Sequence, residues 1–328
     1  MEEVRWEESG GEQMFVPVPL CALIEESSPD FRIYLKQGER ADGFVLYRDA
    51  GGYISRDHLS SLRTNGVKTV FALKQDREKQ LRYLAPKLEY LVKNRDVSEE
   101  IKADLIYGLG LITVRNVFEN PVKANMESCR VFAEELVRFI MREKNAFKIF
   151  FKLMSYDYQI WTHSVNVSIF ITALANNMKL CDREVLSYVC AGALLHDVGK
   201  IRIPKEILDR QGSITAEEFE IVKKHPGLGL DIVQEITDWP EMSLNIVRSH
   251  HEKCDGSGYA RGLTMRDIDI YARIACIVDI FDALTTKRCY GDASHAFSAF
   301  GVIQSQMRRQ IDTELLKQFI LLVGKASM

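Results

Sequence analysis

The spacing of hydrophobic positions changes once along this chain, near residue 76. Between Phe15 and Leu73 the apolar residues form four short runs rich in β-branched and aromatic side chains, FVPVPLCALI, FRIYLKQG, FVLYRD and VKTVFAL. Pro, Gly and Asp separate these runs, which is typical of strands joined by turns. Ser55 is placed to cap a short helix that stops at Asn65-Gly66. The first part of the chain is therefore predicted to be a small mixed α/β domain.

After Asp76 the spacing becomes helical, in EKQLRYLAPKLEYLV, in EEIKADLIYGLGLITVRNVF after Ser98, and in CRVFAEELVRFIMREKN. The rest of the chain is predicted to be helical, which makes the overall class α+β. Asn120-Pro121 marks the predicted boundary between a domain over 1–122 and a domain over 123–328. The first domain contains no group of residues that suggests chemistry. Its position before an enzyme-like half suggests a regulatory or sensory role.

Composition narrows the classes of function. A chain of 328 residues favours two domains over one core, in agreement with the pattern. Its 43 basic and 46 acidic residues give a net charge of −3, which excludes a general cationic field for polymeric nucleic acid. No apolar run is long enough for a membrane span. Seven cysteines without a CxxC pair, after an acidic amino terminus unlike a secretory signal, favour a cytoplasmic location.

Histidine and aspartate residues in the second half of the chain form the candidate site. An apolar helix runs into the adjacent pair His196-Asp197, and an ionised carboxylate there needs a cationic partner. Thr215 and Glu218 are predicted to open a helix that His225 ends. Taken singly, each candidate has an ordinary explanation as a core histidine, a helix cap or a hydrogen-bonded aspartate. One shared explanation is a polynuclear metal site with nitrogen and oxygen ligands, which suit iron, manganese or zinc. Its candidate ligands are His163, His196, Asp197, His225, His250, His251 and Asp279.

The order of five segments resembles the consecutive motifs of the HD-GYP family, the hydrolases of the bacterial second messenger cyclic di-GMP. The segments are THS, LLHDVGKIRIP, KKHPGLG, SHHEKCDGSGY and IVDIFDALTTKR, within roughly residues 145 to 322. The resemblance is specific, because HHExxDGxGY is rarely found outside that family. It implies an all-helical HD-type bundle and a phosphodiesterase that opens cyclic di-GMP to pGpG, with GMP as a further product.

The resemblance also implies two divalent transition-metal ions, iron first, with manganese or zinc as alternatives. One ion would be held by His163, His196, Asp197 and Asp279. Asp197, the central catalytic residue, would bridge to a second ion held by His225, His250 and His251. Two cations together lower the pKa of water, so a metal-bridging hydroxide would attack phosphorus.

The remaining implied roles concern the substrate. Lys200 matches a catalytic position that contacts substrate phosphate, and Arg288 matches a second phosphate contact. The signature loop would shape the substrate groove through Asp255, Gly256, Gly258 and Tyr259. Glu252 and Asp282 also match the motifs and are given supporting roles.

Three positions depart from the family pattern. Gln159 stands where some members place a Glu that binds a third metal, so two metals are predicted. Ala260 replaces the signature proline, and Gly291 replaces a basic residue. Ala260 and Gly291 keep one alternative open, a catalytically weak or inactive module that binds a cyclic dinucleotide or a signalling protein. A phosphohydrolase with broader substrates is a further alternative, against which the HHEKCDGSGY loop argues. The sequence leaves homodimer formation, the native metal and the choice among cyclic dinucleotides undecided.

Overall fold

A computed structural model describes residues 14–37, 43–154, 159–210, 212–286 and 293–327 of the chain. Contacts between Cα atoms divide the chain into two units, Met1–Leu109 and Gly110–Met328. The division falls inside helix α4, Glu99–Glu119, whereas the pattern of the sequence placed the boundary just after that helix. The architecture is α+β, with a small sheet in the first unit and helices in the second.

All four predicted strands are present in the first unit and form one antiparallel sheet. They are β1 Phe15–Pro19, β2 Ile33–Lys36, β3 Phe44–Arg48 and β4 Thr69–Leu73, in the order β1-β4-β2-β3. The first strand is shorter than its apolar run, because Pro17 and Pro19 lack the amide hydrogens that a ladder uses. A 3-10 helix over Leu20–Ala22 follows it. The rings of Phe15 and Phe44 stack with centroids 4.1 Å apart.

Three short helices accompany the sheet: α1 Arg56–Thr64, α2 Arg77–Leu84 and α3 Leu88–Lys93. The predicted cap of α1 is confirmed, since the Ser55 hydroxyl accepts a hydrogen bond from the amide of His58 at 3.2 Å. His58 Nδ1 in turn accepts from the Ser55 amide, so this histidine completes a capping box. Pro86 divides the predicted long helix into α2 and α3 through a 3-10 turn.

In the described part of the second unit the regular elements are all helices, and one isolated β-bridge joins Asp255 and Thr264 in a loop. After α4 its helices are α5 Lys123–Arg142, α6 Ala146–Leu153, α7 Ile160–Asn177, α8 Arg183–Leu194, α9 Lys205–Leu208, α10 Ala216–Val222, α11 His225–Ile236, α12 Glu241–Ser249, α13 Ile270–Thr286, α14 Ala293–Gln306 and α15 Thr313–Ser327, with a 3-10 helix at Val198–Arg202. No helix in the described ranges is both long enough and apolar enough to cross a bilayer.

Helix α7 lies at the centre of the second unit and packs against α8 and α13. It is buried on nearly all sides, so polar residues along it are enclosed in the core. Phe170 of α7 meets Phe281 of α13 and Phe319 of α15, with ring centroids 5.5 Å apart in both pairs. This apolar core fixes the helices whose ends carry the candidate ligands.

The predicted helix boundary at His225 was wrong. The capping box of Thr215 and Glu218 is present, but the helix that it opens, α10, ends at Val222. His225 begins the next helix, α11, rather than ending the previous one. Pro226 fits there because the amide hydrogens of a first helical turn have no intrahelical partner.

Candidate metal centre

The seven predicted ligands lie together, although five helices or their ends supply them. They form two groups, and within each group the ligand atoms all lie within 4.8 Å of one another. The groups are His163, His196 and Asp279, and Asp197, His225, His250 and His251. His163 lies on α7 and Asp279 lies on α13, while the other ligands stand at the ends of α8, α11 and α12.

In the first group, two imidazoles direct their Nε2 atoms toward each other. His163 Nδ1 donates to Asp282 Oδ2 at 2.7 Å, and His196 Nδ1 donates to the Ala193 carbonyl at 2.8 Å. When both rings are neutral, each Nε2 carries a lone pair. The two Nε2 atoms are 3.2 Å apart, and Asp279 Oδ1 lies 3.0 Å from that of His163. Facing lone pairs at this distance repel unless a proton or a cation lies between them.

The second group repeats the same arrangement. His225 Nδ1 donates to the Val222 carbonyl at 2.7 Å, and His250 Nδ1 donates to the Val247 carbonyl at 3.0 Å. Their Nε2 atoms are again 3.2 Å apart. Backbone carbonyls of the preceding turn therefore fix both rings with the same nitrogen directed inward, as second partners of metal-bound histidines commonly do.

Asp197 lies between the two groups, with one carboxylate oxygen toward each. Its Oδ2 lies 3.6 Å from His196 Nε2 and 3.8 Å from His163 Nε2. Its Oδ1 lies 3.3 Å from His225 Nε2 and 3.8 Å from His250 Nε2. The side chain is 1% exposed, and Oδ1 has no hydrogen-bond partner among the described residues. A buried carboxylate oxygen is costly without a partner, and a divalent cation meets this need.

Both buried carboxylates are held in their charged form. Burial raises the pKa of Asp197, but Lys200 and the nearby imidazoles, His196 among them, outweigh it and place that pKa well below its ordinary value. Burial also raises the pKa of Asp279, and the hydrogen bond from His163 is the first of the interactions that reverse the shift and lower it. Two negative groups therefore share one enclosed site, which favours cations.

The imidazoles divide into one protonated ring and several neutral rings. Burial lowers the pKa of His163, but its hydrogen bonds to Asp279 and Asp282 outweigh burial and raise the pKa well above the usual value. Burial lowers the pKa of His251 to about 3, and it lowers that of His250 as well. Neutral imidazoles and ionised carboxylates are the forms that bind metals, so a divalent transition metal would fit these side chains and displace the proton that His163 holds.

The loop after α12 stands directly beside the second group. The Tyr259 ring packs on His251 with centroids 4.6 Å apart and planes at 31°. A Cβ added at Gly258 would lie 2.4 Å from the Lys253 amide nitrogen, so the loop folds tightly over the residues that follow His251. Gly256 has a φ of 80°, a backbone conformation that suits glycine. The structure thus brings Tyr259 to the ligands.

Asp255 is placed differently, because its carboxylate serves the loop. It accepts from the Ser257 amide at 3.0 Å and from the Ser257 hydroxyl at 2.6 Å. Glu252 is buried and accepts from the amides of Arg261 at 2.7 Å and Leu263 at 2.9 Å. These bonds close the loop after the two histidines, so its shape depends on two acidic side chains.

Lys200 contacts the centre through Asp197, with 2.5 Å between its Nζ and Oδ2. Gln159 lies at the start of α7 as its N-cap residue. Arg288 and Gly291, for which a phosphate contact and a lost contact were predicted, lie outside the described residues.

Sequence reasoning gave Asp282 only a general supporting role and missed Asn166 altogether. Asp282 receives the His163 hydrogen bond on one oxygen and the Asn166 amide on the other, at 3.0 Å. A single asparagine inside an apolar helix carries no recognisable signal. Its spacing of three residues from His163, which brings both to one face of α7, was the available clue.

Known proteins resemble the part of the chain that carries these side chains. The sequence profile described as HD domain matches residues 151–315, half of the chain. The chain belongs to the HD domain family. Its likeness to HD-GYP proteins is confirmed as well. A cyclic di-GMP phosphodiesterase of Pseudomonas aeruginosa is 31% identical over 191 residues, 58% of this chain and 46% of that protein.

A cyclic di-GMP phosphodiesterase of Thermotoga maritima is 36% identical over 168 residues, 51% of this HD domain protein and 45% of the relative. The chain thus spans slightly less than half the length of either relative. A solved structure of a HDG"Y"P protein from Bdellovibrio bacteriovorus has a TM-score of 0.66 at 24% identity, covering 94% of this chain and 99% of that one. This last likeness shows the fold.

Proposed function

We propose that this HD domain protein is a metal-dependent phosphodiesterase that hydrolyses cyclic di-GMP to pGpG. The observation that carries the proposal is the position of Asp197 between two pairs of imidazoles whose Nε2 atoms face each other. The names of the two cyclic di-GMP phosphodiesterases support the choice of substrate. The seven side chains would hold two divalent transition-metal ions, with iron as the first candidate and manganese or zinc as alternatives.

Two bound cations would supply Lewis acidity, which activates water as a nucleophile and neutralises charge on the phosphoryl group. The protein residues have separate tasks. Asp197 places negative charge between the two ligand groups, and Asp282 holds the His163 ring in one orientation. Lys200 lies beside Asp197 and keeps 17% of its side chain exposed. Its ammonium would therefore contact a substrate phosphate that enters the centre from solvent.

Positive charge at Lys200 would stabilise the charge that grows on phosphoryl oxygens during hydrolysis. Tyr259 packs on His251, so the loop that carries it would form one side of the substrate groove. Further cleavage of pGpG to GMP would use the same groups, since both steps break a phosphodiester bond.

The activity test compares Lys200→Ala with Lys205→Ala. Manganese-loaded protein is incubated with cyclic di-GMP, and chromatography measures pGpG and GMP. We expect Lys200→Ala to lower turnover about 10²-fold, as loss of one group that stabilises the transition state does. Lys205 is exposed on α9, so its substitution should leave turnover unchanged.

Metal-loaded wild-type protein that yields neither product would refute hydrolysis. Binding of cyclic di-GMP without product would instead favour the second candidate, an inactive module that binds the nucleotide. The replacements at Ala260 and Gly291 favour that candidate. Equal turnover of unrelated phosphodiesters would favour a broader phosphohydrolase.

A further inference from the structure

An exposed aromatic ring stands beside the candidate centre without a role in it. Phe219 lies on α10, and 42% of the residue is exposed. The capping box at Thr215 and Glu218 fixes the start of this helix, with bonds of 2.8 Å and 3.2 Å. Exposing a large apolar side chain gives up burial energy, so its position relative to other groups decides whether it has a use.

Phe219 is the outer member of a row of three rings that begins at the metal ligands. His251 packs on Tyr259 with centroids 4.6 Å apart. Tyr259 meets Phe219 edge to face, with centroids 6.1 Å apart and planes at 82°. Among the described residues, no ring contact joins the other exposed aromatic side chains to Tyr259 or to the histidine ligands. These side chains are Tyr53, Tyr90 and Phe297.

A positive charge accompanies the outer ring. Lys223 Nζ lies over Phe219 at 5.0 Å from its centroid, within the range of a cation–π interaction. The same ammonium pairs with Glu220 at 2.6 Å, which keeps it on the outer surface of α10. Phe219 is 42% exposed although Lys223 and Tyr259 contact it. Part of its ring surface is therefore available to a further planar group.

These observations match the features of a site that binds a nucleobase. Sites that bind single-stranded nucleic acids combine positive charge along the phosphate backbone with aromatic side chains on which bases stack. Here Lys200 is the cation beside the centre. The row of rings extends from His251, a ligand of the centre, to the exposed Phe219. A cyclic dinucleotide carries two purines on a small phosphodiester ring, so one phosphate in the centre places a base nearby.

We propose that Phe219 forms a base-binding subsite on which one purine of a cyclic dinucleotide stacks. The inference rests on the proposed function for its choice of ligand. Stacking is sequence-tolerant, because every base has a flat π face, so this subsite strengthens binding without selecting guanine. Phe219 is thus a positioning residue, and the choice of base lies with other groups.

The test measures binding of a cyclic di-GMP analogue whose two phosphates are phosphorothioates, which resist hydrolysis. Calorimetry with manganese-loaded protein compares Phe219→Ala, Phe219→Leu and Phe219→Trp. Loss of one stacked base corresponds to a weakening of roughly 5- to 100-fold. We expect this loss for the Ala and Leu variants, and recovery to within about threefold of wild type for Trp, because only the aromatic variant stacks.

Two further readouts separate stacking from a structural role. Metal content should stay at the wild-type level in all three variants. With unmodified cyclic di-GMP, KM should rise in the Ala and Leu variants while kcat changes little, because the ring contacts a base away from the reacting phosphorus.

The outcomes test the base-binding subsite and the proposed hydrolysis separately. If the Leu variant binds like wild type, or the Ala variant does, the subsite is wrong whether or not the wild type hydrolyses the nucleotide. Aromatic-dependent binding without hydrolysis would leave the subsite in place and refute the proposed activity. Absence of any binding by the wild type would overturn both.

Discussion

At the scale of single residues, the centre depends on groups that do not touch the proposed cations. Asp282 and Asn166 form a chain of hydrogen bonds that ends on His163 Nδ1. A carboxylate behind a histidine fixes the ring and makes its other nitrogen a better ligand. The same purpose is served at His196, His225 and His250 by backbone carbonyls, which substitution cannot remove.

Asp282→Asn is the variant that tests this support, because it removes charge while keeping the shape of the side chain. We expect metal affinity to fall about 10- to 100-fold, the usual effect of losing such a partner. A competition titration with a metal-sensitive dye measures it. Asp231→Asn, at an exposed position of α11, is the matched control and should bind metal like wild type. Wild-type affinity in Asp282→Asn would show that carbonyl-held rings are sufficient.

At the scale of elements, the centre requires close contact between the 3-10 helix Val198–Arg202 and α11. A Cβ added at Gly199 would lie 1.9 Å from the His225 carbonyl oxygen and 2.5 Å from the Gly229 amide nitrogen. Both neighbours are backbone atoms, so neither can move aside alone. The glycine after the HD pair therefore sets the distance between Asp197 and His225.

Gly199→Ala should separate these two elements and weaken both the fold and the site. We expect a loss of about 1–3 kcal/mol in the free energy of unfolding, the usual cost of overpacking, together with reduced metal content. Thermal unfolding and metal analysis measure the two effects. Gly227→Ala is the matched control on α11, where an added Cβ meets nothing within 4 Å. Equal melting temperatures for the two variants would contradict this account of the contact.

The elements also show what the sequence could predict. Alternation and capping predicted all four strands and α1, because these depend on local patterns. The start of α11 was missed because Lys223, Lys224 and His225 continue the polar pattern of α10, and Pro226 resembled a stop signal. A proline ends one helix and begins another equally well, so only tertiary packing distinguishes the two cases.

At the scale of the whole molecule, both groups of candidate metal ligands found among the described residues lie in the second unit. The order of motifs predicted seven ligands, and the structure brings these side chains together in two groups. Sequence alone could not show that Asp197 faces both groups or that each Nε2 is directed inward. It also missed Phe219, since one exposed aromatic residue has no pattern until its neighbours in space are known. The role of the first unit stays a prediction from its position.

The central claim is that the seven side chains converge because two divalent cations bind among them. Metal analysis of anaerobically purified protein, with Asp197→Asn measured in parallel, tests this claim most directly. The account predicts about two ions per wild-type chain, as in dinuclear hydrolytic sites, and far fewer in the variant, which removes the shared charge. Wild-type protein without bound metal after supplementation, or a variant that binds as much as wild type, would contradict it.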